Sequence, residues 1–265
     1  MGKSLQRKKN ITKKPGFRVG MMLSGIMIVL ALVVLFFMFT YWSLFDGNDN
    51  FIIKHVIVRG GGRWKSKTET VKKLLKIETG KTNLFAVNLA DVRSKLEAQP
   101  SVRRADVRRI LPDTLYIYIT ERIPMAFLYR HDSGLVTDQT GTVMSADSCV
   151  NLDRSMPVVT GFRAAKSELH PGAKLSQVMP ALHFIDTAAK TVKEIQLLRI
   201  SMSSAKYFNN EIYIPCTGKR YIFYISRESL EYRLTKLKKL IPRLKTENPD
   251  ATIIDMRYKG QAVVK

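Results

Sequence analysis

Residues Val102 to Arg122 read VRRADVRRILPDTLYIYITER, two strand-like runs joined by Pro112-Asp113. In the second run Leu115, Ile117 and Ile119 alternate with Tyr116, Tyr118 and Thr120, the period-two pattern of a sheet with one buried face. Proline presets its own φ and aspartate bonds readily to nearby backbone, so the dipeptide favours a tight turn. The segment predicts two strands, with Pro124 closing the second where the chain leaves the module.

Working backwards, Phe51 to Arg59 (FIIKHVIVR) is a β-branched run typical of a strand and is ended by Gly60, Gly61 and Gly62. The glycines lack the Lys-Ser/Thr ending of a phosphate loop and read as a turn. Ser66-Lys67-Thr68-Glu69 has the pattern of a capping box and predicts a short helix through Leu75. Asn88 with Asp91 starts a second helix, with Leu89, Val92 and Leu96 on one face before Pro100. Strand, helix, helix, strand, strand is the order of a POTRA module, a three-stranded sheet covered on one face by two helices. It occupies residues 51–125.

Further back lies Val19 to Phe45, VGMMLSGIMIVLALVVLFFMFTYWSLF, without a charged residue. A hydrocarbon core of about 30 Å needs roughly 20 apolar residues, so this stretch predicts one transmembrane helix, with Tyr41 and Trp42 at an interface. A cleaved signal peptide has a shorter apolar core and a small-residue cleavage site, which is missing here. Lys3, Arg7, Lys8, Lys9, Lys13, Lys14 and Arg18 precede the span, while Asp46 and Asp49 follow it. The positive-inside rule then gives a cytoplasmic tail (1–18), a span (19–45), a linker (46–50) and an exported remainder. The predicted location is the inner (plasma) membrane, single-pass, type II.

The formal net charge is +22 over 265 residues. Export argues against nucleic acid as partner; the excess charge favours anionic neighbours such as lipid headgroups, acidic wall polymers or an acidic protein. Cys149 and Cys216 lie far apart in sequence, and a single disulfide between them is permitted but not required. His55, His131, His170 and His183 stand in isolation, and no H-E-x-x-H, ligand-spaced cluster or G-x-S-x-G elbow occurs. No catalytic residue, metal ligand or cofactor is predicted.

Residues 126–265 read as a second, mixed α+β unit. Ala126–Tyr129, Gly134–Thr137 and Gly141–Met144 are short strand candidates. Leu175 to Val192 holds a helix that Pro180 should start, kink or shorten. Strands are expected at Ile195–Ile200, Glu211–Pro215 and Tyr221–Ser226, the last two joined by a turn at Thr217-Gly218-Lys219. In Arg227–Leu244 an apolar stripe of Leu230, Leu234, Leu237, Leu240, Ile241 and Leu244 should cover a sheet, with Arg233, Lys236, Lys238, Lys239 and Arg243 largely on other faces. Thr252–Tyr258 and Gln261–Lys265 follow as edge strands, with no later element to cover them.

Leu111 to Ala126 (LPDTLYIYITERIPMA), Met156-Pro157-Val158-Val159-Thr160-Gly161 and Ile253 to Tyr258 (IIDMRY) resemble, in that order, three segments of the FtsQ/DivIB family of bitopic bacterial division proteins. The resemblance implies a non-enzymatic, membrane-anchored scaffold of the divisome at the septum. Its implied partners are the bitopic division proteins FtsB (DivIC) and FtsL, linked to septal wall synthesis. Tyr258 matches the family's partner-contacting Tyr, and Arg257 is expected to meet an acidic partner residue; with Gln261 and Val263 they form the expected partner-binding site. Two other classes compete: a POTRA component of envelope assembly or secretion, and an anchored wall-processing enzyme. The first normally precedes a large barrel, which about 140 residues with two helices cannot supply.

Overall fold

The computed structural model describes residues 15–41, 48–150 and 152–265. Helix α1 runs Pro15–Tyr41, and its side chains are described at Leu23 and residues 25–40. Large apolar groups such as Phe36, Phe37 and Phe39 stand exposed on it. Among the described residues no helix is long and apolar enough to cross a membrane. Residues 25–40 alone reach about 24 Å at about 1.5 Å per residue, short of a hydrocarbon core of about 30 Å. The basic residues up to Lys14, Trp42 and Asp46 lie outside the described residues, as do the placement of the Tyr41 side chain and of Arg18.

The first unit contains β1 (His55–Gly60), α2 (Thr68–Leu75), α3 (Leu89–Glu97), β2 (Val102–Ile110) and β3 (Thr114–Glu121). β3 is central, parallel to β1 and antiparallel to β2. Alternation does what it must: Leu115, Ile117 and Ile119 of β3 point inward with Val56, Val58, Ala105 and Val107, and Val71, Leu75, Val92 and Leu96 of the helices seal them. Asn88 caps α3, its side chain accepting from the N–H groups of Ala90 and Asp91 at 2.9 and 3.3 Å.

The capping box does not form. Ser66 sits at φ 59, and α2 begins after Lys67 without a side-chain cap. The neighbouring 3-10 turn Gly62–Trp64 dictates the chain's path here. Trp64 is buried, its indole N–H donating to Ser101 Oγ at 3.1 Å and its backbone N–H to Glu121 Oε1 at 2.7 Å. β1 also starts later than the apolar run: Asp49–Phe51 is a 3-10 turn, and Ile52 bridges to Asn83.

Pro124 opens a strand instead of closing one. β4 (Pro124–Leu128), β5 (Leu135–Asp138), β6 (Val143–Ser145), β7 (Val158–Thr160), β8 (Gln196–Ser201), β9 (Tyr207–Ile214), β10 (Lys219–Ser226), β11 (Ile253–Met256) and β12 (Val263–Val264) form one nine-stranded sheet. Its order is β12-β11-β10-β9-β8-β7-β4-β5-β6. Proline tolerates this position because the first residue of a strand need not donate to the ladder.

Parallel neighbours need a crossover, and the helices supply two. α4 (Met179–Thr191) joins β7 to β8, and α5 (Leu230–Glu247) joins β10 to β11. Both steps run in the same direction between strands of the same sense, so the usual right-handed crossover puts both helices on one face. Pro180 falls in the first turn of α4, where a missing amide costs nothing. The shared core gathers Phe184, Leu234, Leu237 and Ile241 from the helices against Phe208, Ile212, Tyr221, Phe223 and Ile254. On the opposite face, Phe127, Val136, Met144 and Val158 are covered by Cys149, Leu152 and Met156, whereas the β8–β12 part of that face is left open. Cys149 and Cys216 are free thiols.

Arg122 and Asp138 connect the two units. The Arg122 guanidinium donates to Asp138 Oδ2 at 2.9 Å, and the aspartate also accepts from the Thr140 hydroxyl and from the backbone N–H groups of Thr140 and Thr142. Burial alone would raise the Asp138 carboxyl; these donors outweigh it and hold it below the usual carboxylate range.

Candidate functional site

The C-terminal hairpin closes one edge of the large sheet, with β12 outermost. Lys265 and Ile253 exchange both backbone bonds, at 2.8 and 3.0 Å, and the next pair is Ile254 with Val264. In an antiparallel ladder bonded and non-bonded pairs alternate, so the N–H and C=O of Val264 point away from β11, out of the sheet. The edge therefore offers an unpaired donor and acceptor.

On the open face the register sets Val263, Asp255, Tyr224 and Asn209 in one row across β12, β11, β10 and β9. The next row holds Ile253 and Ile222, the latter exposed. Asn209, Tyr224, Asp255, Val263 and Ile253 border a cleft of about 630 Å³ that also takes in Tyr207, Arg257, Tyr258 and Gln261. All four expected site residues are thus brought together.

Arg257 is not free to serve as expected. Its guanidinium binds both carboxylate oxygens of Asp255, at 2.6 to 3.1 Å, and its backbone N–H donates to the same group at 3.0 Å. It also lies over the rings of Tyr207 and Tyr224, 4.9 and 4.7 Å from their centroids. Burial acts to raise the Asp255 carboxyl, but Arg257 and the nearby Lys265 more than offset this and lower it; the same pairing raises Arg257 above its ordinary value. The pair stiffens the wall of the cleft, and the charge available to an acidic partner residue is largely neutralised.

Tyr258 stands at 55 % exposure. The turn carrying it is held from behind by α5. Arg233, buried, donates through Nη1 to the carbonyls of Met256 and Tyr258 at 2.5 and 2.8 Å and through Nε to Glu228 O at 3.0 Å. Lys236 Nζ donates to Gly260 O at 3.0 Å. Sequence reasoning missed Asp255, Tyr207, Tyr224 and Arg233. The first carried a signal, because residues two apart on a strand share a side and Asp255 and Arg257 have opposite charge.

The chain matches the family model "POTRA domain, FtsQ-type" over residues 51–122. It is 30% identical over 186 residues to the cell division protein FtsQ of Syntrophotalea carbinolica, covering 69% of this chain and 64% of that relative. The chain belongs to the FtsQ/DivIB family. Within the family it also resembles FtsQ of Nitrosospira multiformis, 27% identical over 214 residues covering 78% of this chain and 80% of the relative. DivIB of Geobacillus kaustophilus is 21% identical over 156 residues, 58% of each chain. The family resemblance read from three short segments is thereby shown. Among the described residues no three His, Cys, Asp or Glu side chains gather as metal ligands.

Proposed function

We propose that this chain is a non-enzymatic, membrane-anchored scaffold of bacterial cell division, with α1 as its single span and the units after it outside the cytoplasm. Its task is to dock an extended segment of another bitopic division protein, of the FtsB (DivIC) and FtsL kind, on β12. The carrying observation is the outward-facing backbone of Val264 beside exposed Tyr258, at one edge of the sheet. Strand addition draws affinity from backbone bonds and specificity from alternate side chains. Here Tyr258, Gln261 and Val263 would read the partner, and Arg257 would hold the surface flat.

Tyr258→Ala should weaken binding of the partner's extracytoplasmic segment at least tenfold, since exposed aromatic anchors at interface centres often contribute about 2 kcal/mol or more. Its thermal melt should stay within a degree or two of wild type, because an exposed side chain contributes little to the fold. Truncation after Lys259 should abolish binding. Unchanged affinity in either variant would remove the site.

A further inference from the structure

The first unit has two unlike ends. At one, where β1 and β3 finish, Arg122 meets Asp138 and Arg63 meets the carbonyl of Asp147 in the distal unit. At the other, His55 pairs with Thr114, which in turn pairs with Ile110, so the entry of β1 lies beside the β2–β3 hairpin tip. This tip is apolar and uncovered: Ile110 is 48 % and Leu111 60 % exposed, and Pro112 is exposed as well. Charges around it are paired off locally, Lys54 with Asp113 at 3.8 Å and Arg108 with Asp106 at 3.2 Å. Arg109 is turned back onto the carbonyls of Leu84 and Val87. What the tip presents outward is hydrocarbon.

The chain reaches this end directly from α1. Between Tyr41 and Asn48 lie six residues, which at full extension bridge about 25 Å. We infer that the hairpin tip Ile110-Leu111-Pro112 rests in the interfacial zone of the same bilayer that α1 crosses, a contact that rests on the reading of α1 as a span. Confinement by so short a tether keeps the tip at high effective concentration at the lipid surface, so two apolar side chains suffice. The chain after residue 47 carries 37 Lys and Arg against 21 Asp and Glu, and anionic headgroups would draw it to the same surface. The opposite end, committed to Asp138, would then point away from the membrane.

The test uses the full chain in nanodiscs of phosphatidylcholine with phosphatidylglycerol, carrying the photocrosslinker benzoylphenylalanine in place of Leu111 or, as a comparison, of Lys73 on the exposed side of α2. A third variant places it at Ile110 and keeps Leu111. Lipid adducts detected by mass spectrometry should be at least fivefold more abundant at 110 and 111 than at 73. Equal yields in a chain that co-elutes with the discs would overturn the tip contact and leave the anchor standing. A chain that fails to co-elute would remove the anchor, and the tip contact with it.

Discussion

Arg122→Met is expected to destabilise the two folded units by about 3–5 kcal/mol, because it leaves the Asp138 carboxylate buried without its counter-ion. Asp138 is only 2 % exposed, and the Arg122 side chain about one-sixth. The deficit should depend on pH in a definite sense. A carboxyl held below its unfolded value contributes stability above that value, and loses it as pH falls through the folded one. In the variant the guanidinium is gone, and with that donor lost the Asp138 carboxyl rises from its wild-type value. The gap between wild type and variant should therefore be widest near neutrality and narrow as pH is lowered towards about 4. Denaturant melts from pH 7 downwards measure it; a gap that does not change with pH would sink the charge explanation. The double variant Arg122→Met with Asp138→Asn should recover part of the loss.

Arg233→Met should cost about 3 kcal/mol in the distal unit and, more tellingly, loosen the turn that carries Tyr258. Methionine keeps most of the buried stem but removes donors to three carbonyls; a hydrogen bond from a charged group contributes about 1.5–3 kcal/mol net, and the shared loss of the buried charge offsets part of the sum. Hydrogen exchange should accelerate at the amides of residues 257–265 well beyond the change seen in β9. Partner affinity should fall although Arg233 is itself buried. Arg233→Lys should rescue little, since an ammonium group cannot reach Glu228, Met256 and Tyr258 with the planar fork that the guanidinium provides. If exchange at 257–265 stays as in wild type, α5 does not hold the edge.

Elements with a simple apolar period were readable: β3 alternates, and Leu230, Leu234, Leu237, Ile241 and Leu244 of α5 are buried as their spacing required. β9 begins at Tyr207, four residues before the strand expected from Glu211, because Asn209-Asn210 hides the alternation although Asn210 is buried. Partner choice among strands was not readable. Nothing in Val158–Thr160 tells that β7 slots between β4 and β8, because that placement follows from the α4 crossover and from which apolar faces must meet. The last hairpin was legible as two strand-forming runs, Thr252–Tyr258 and Gln261–Lys265, on either side of Lys259-Gly260. The use of its charges was not: Arg233 sits on the helix where a solvated residue was expected, and is buried because two carbonyls at a turn distant in sequence, with that of Glu228 nearby, take its donors. Arg257 likewise found its carboxylate two residues away. Local pattern locates backbone; long-range satisfaction of polar groups decides what the charged side chains do.

The direction of β1 carries one further consequence, which is mechanical. The chain enters the first unit at the start of β1 and leaves it at the end of β3, and these two strands are parallel neighbours joined over six residue pairs from His55–Thr114 to Gly60–Ile119. Tension between the N-terminal helix and whatever the distal edge holds therefore pulls the two strands lengthwise past each other. Their bonds are loaded together in shear and cannot open one at a time, as they would if the ends left from the same pole. A module loaded in this way would transmit force as a stiff link, with the junction at Arg122 as the joint to the distal unit.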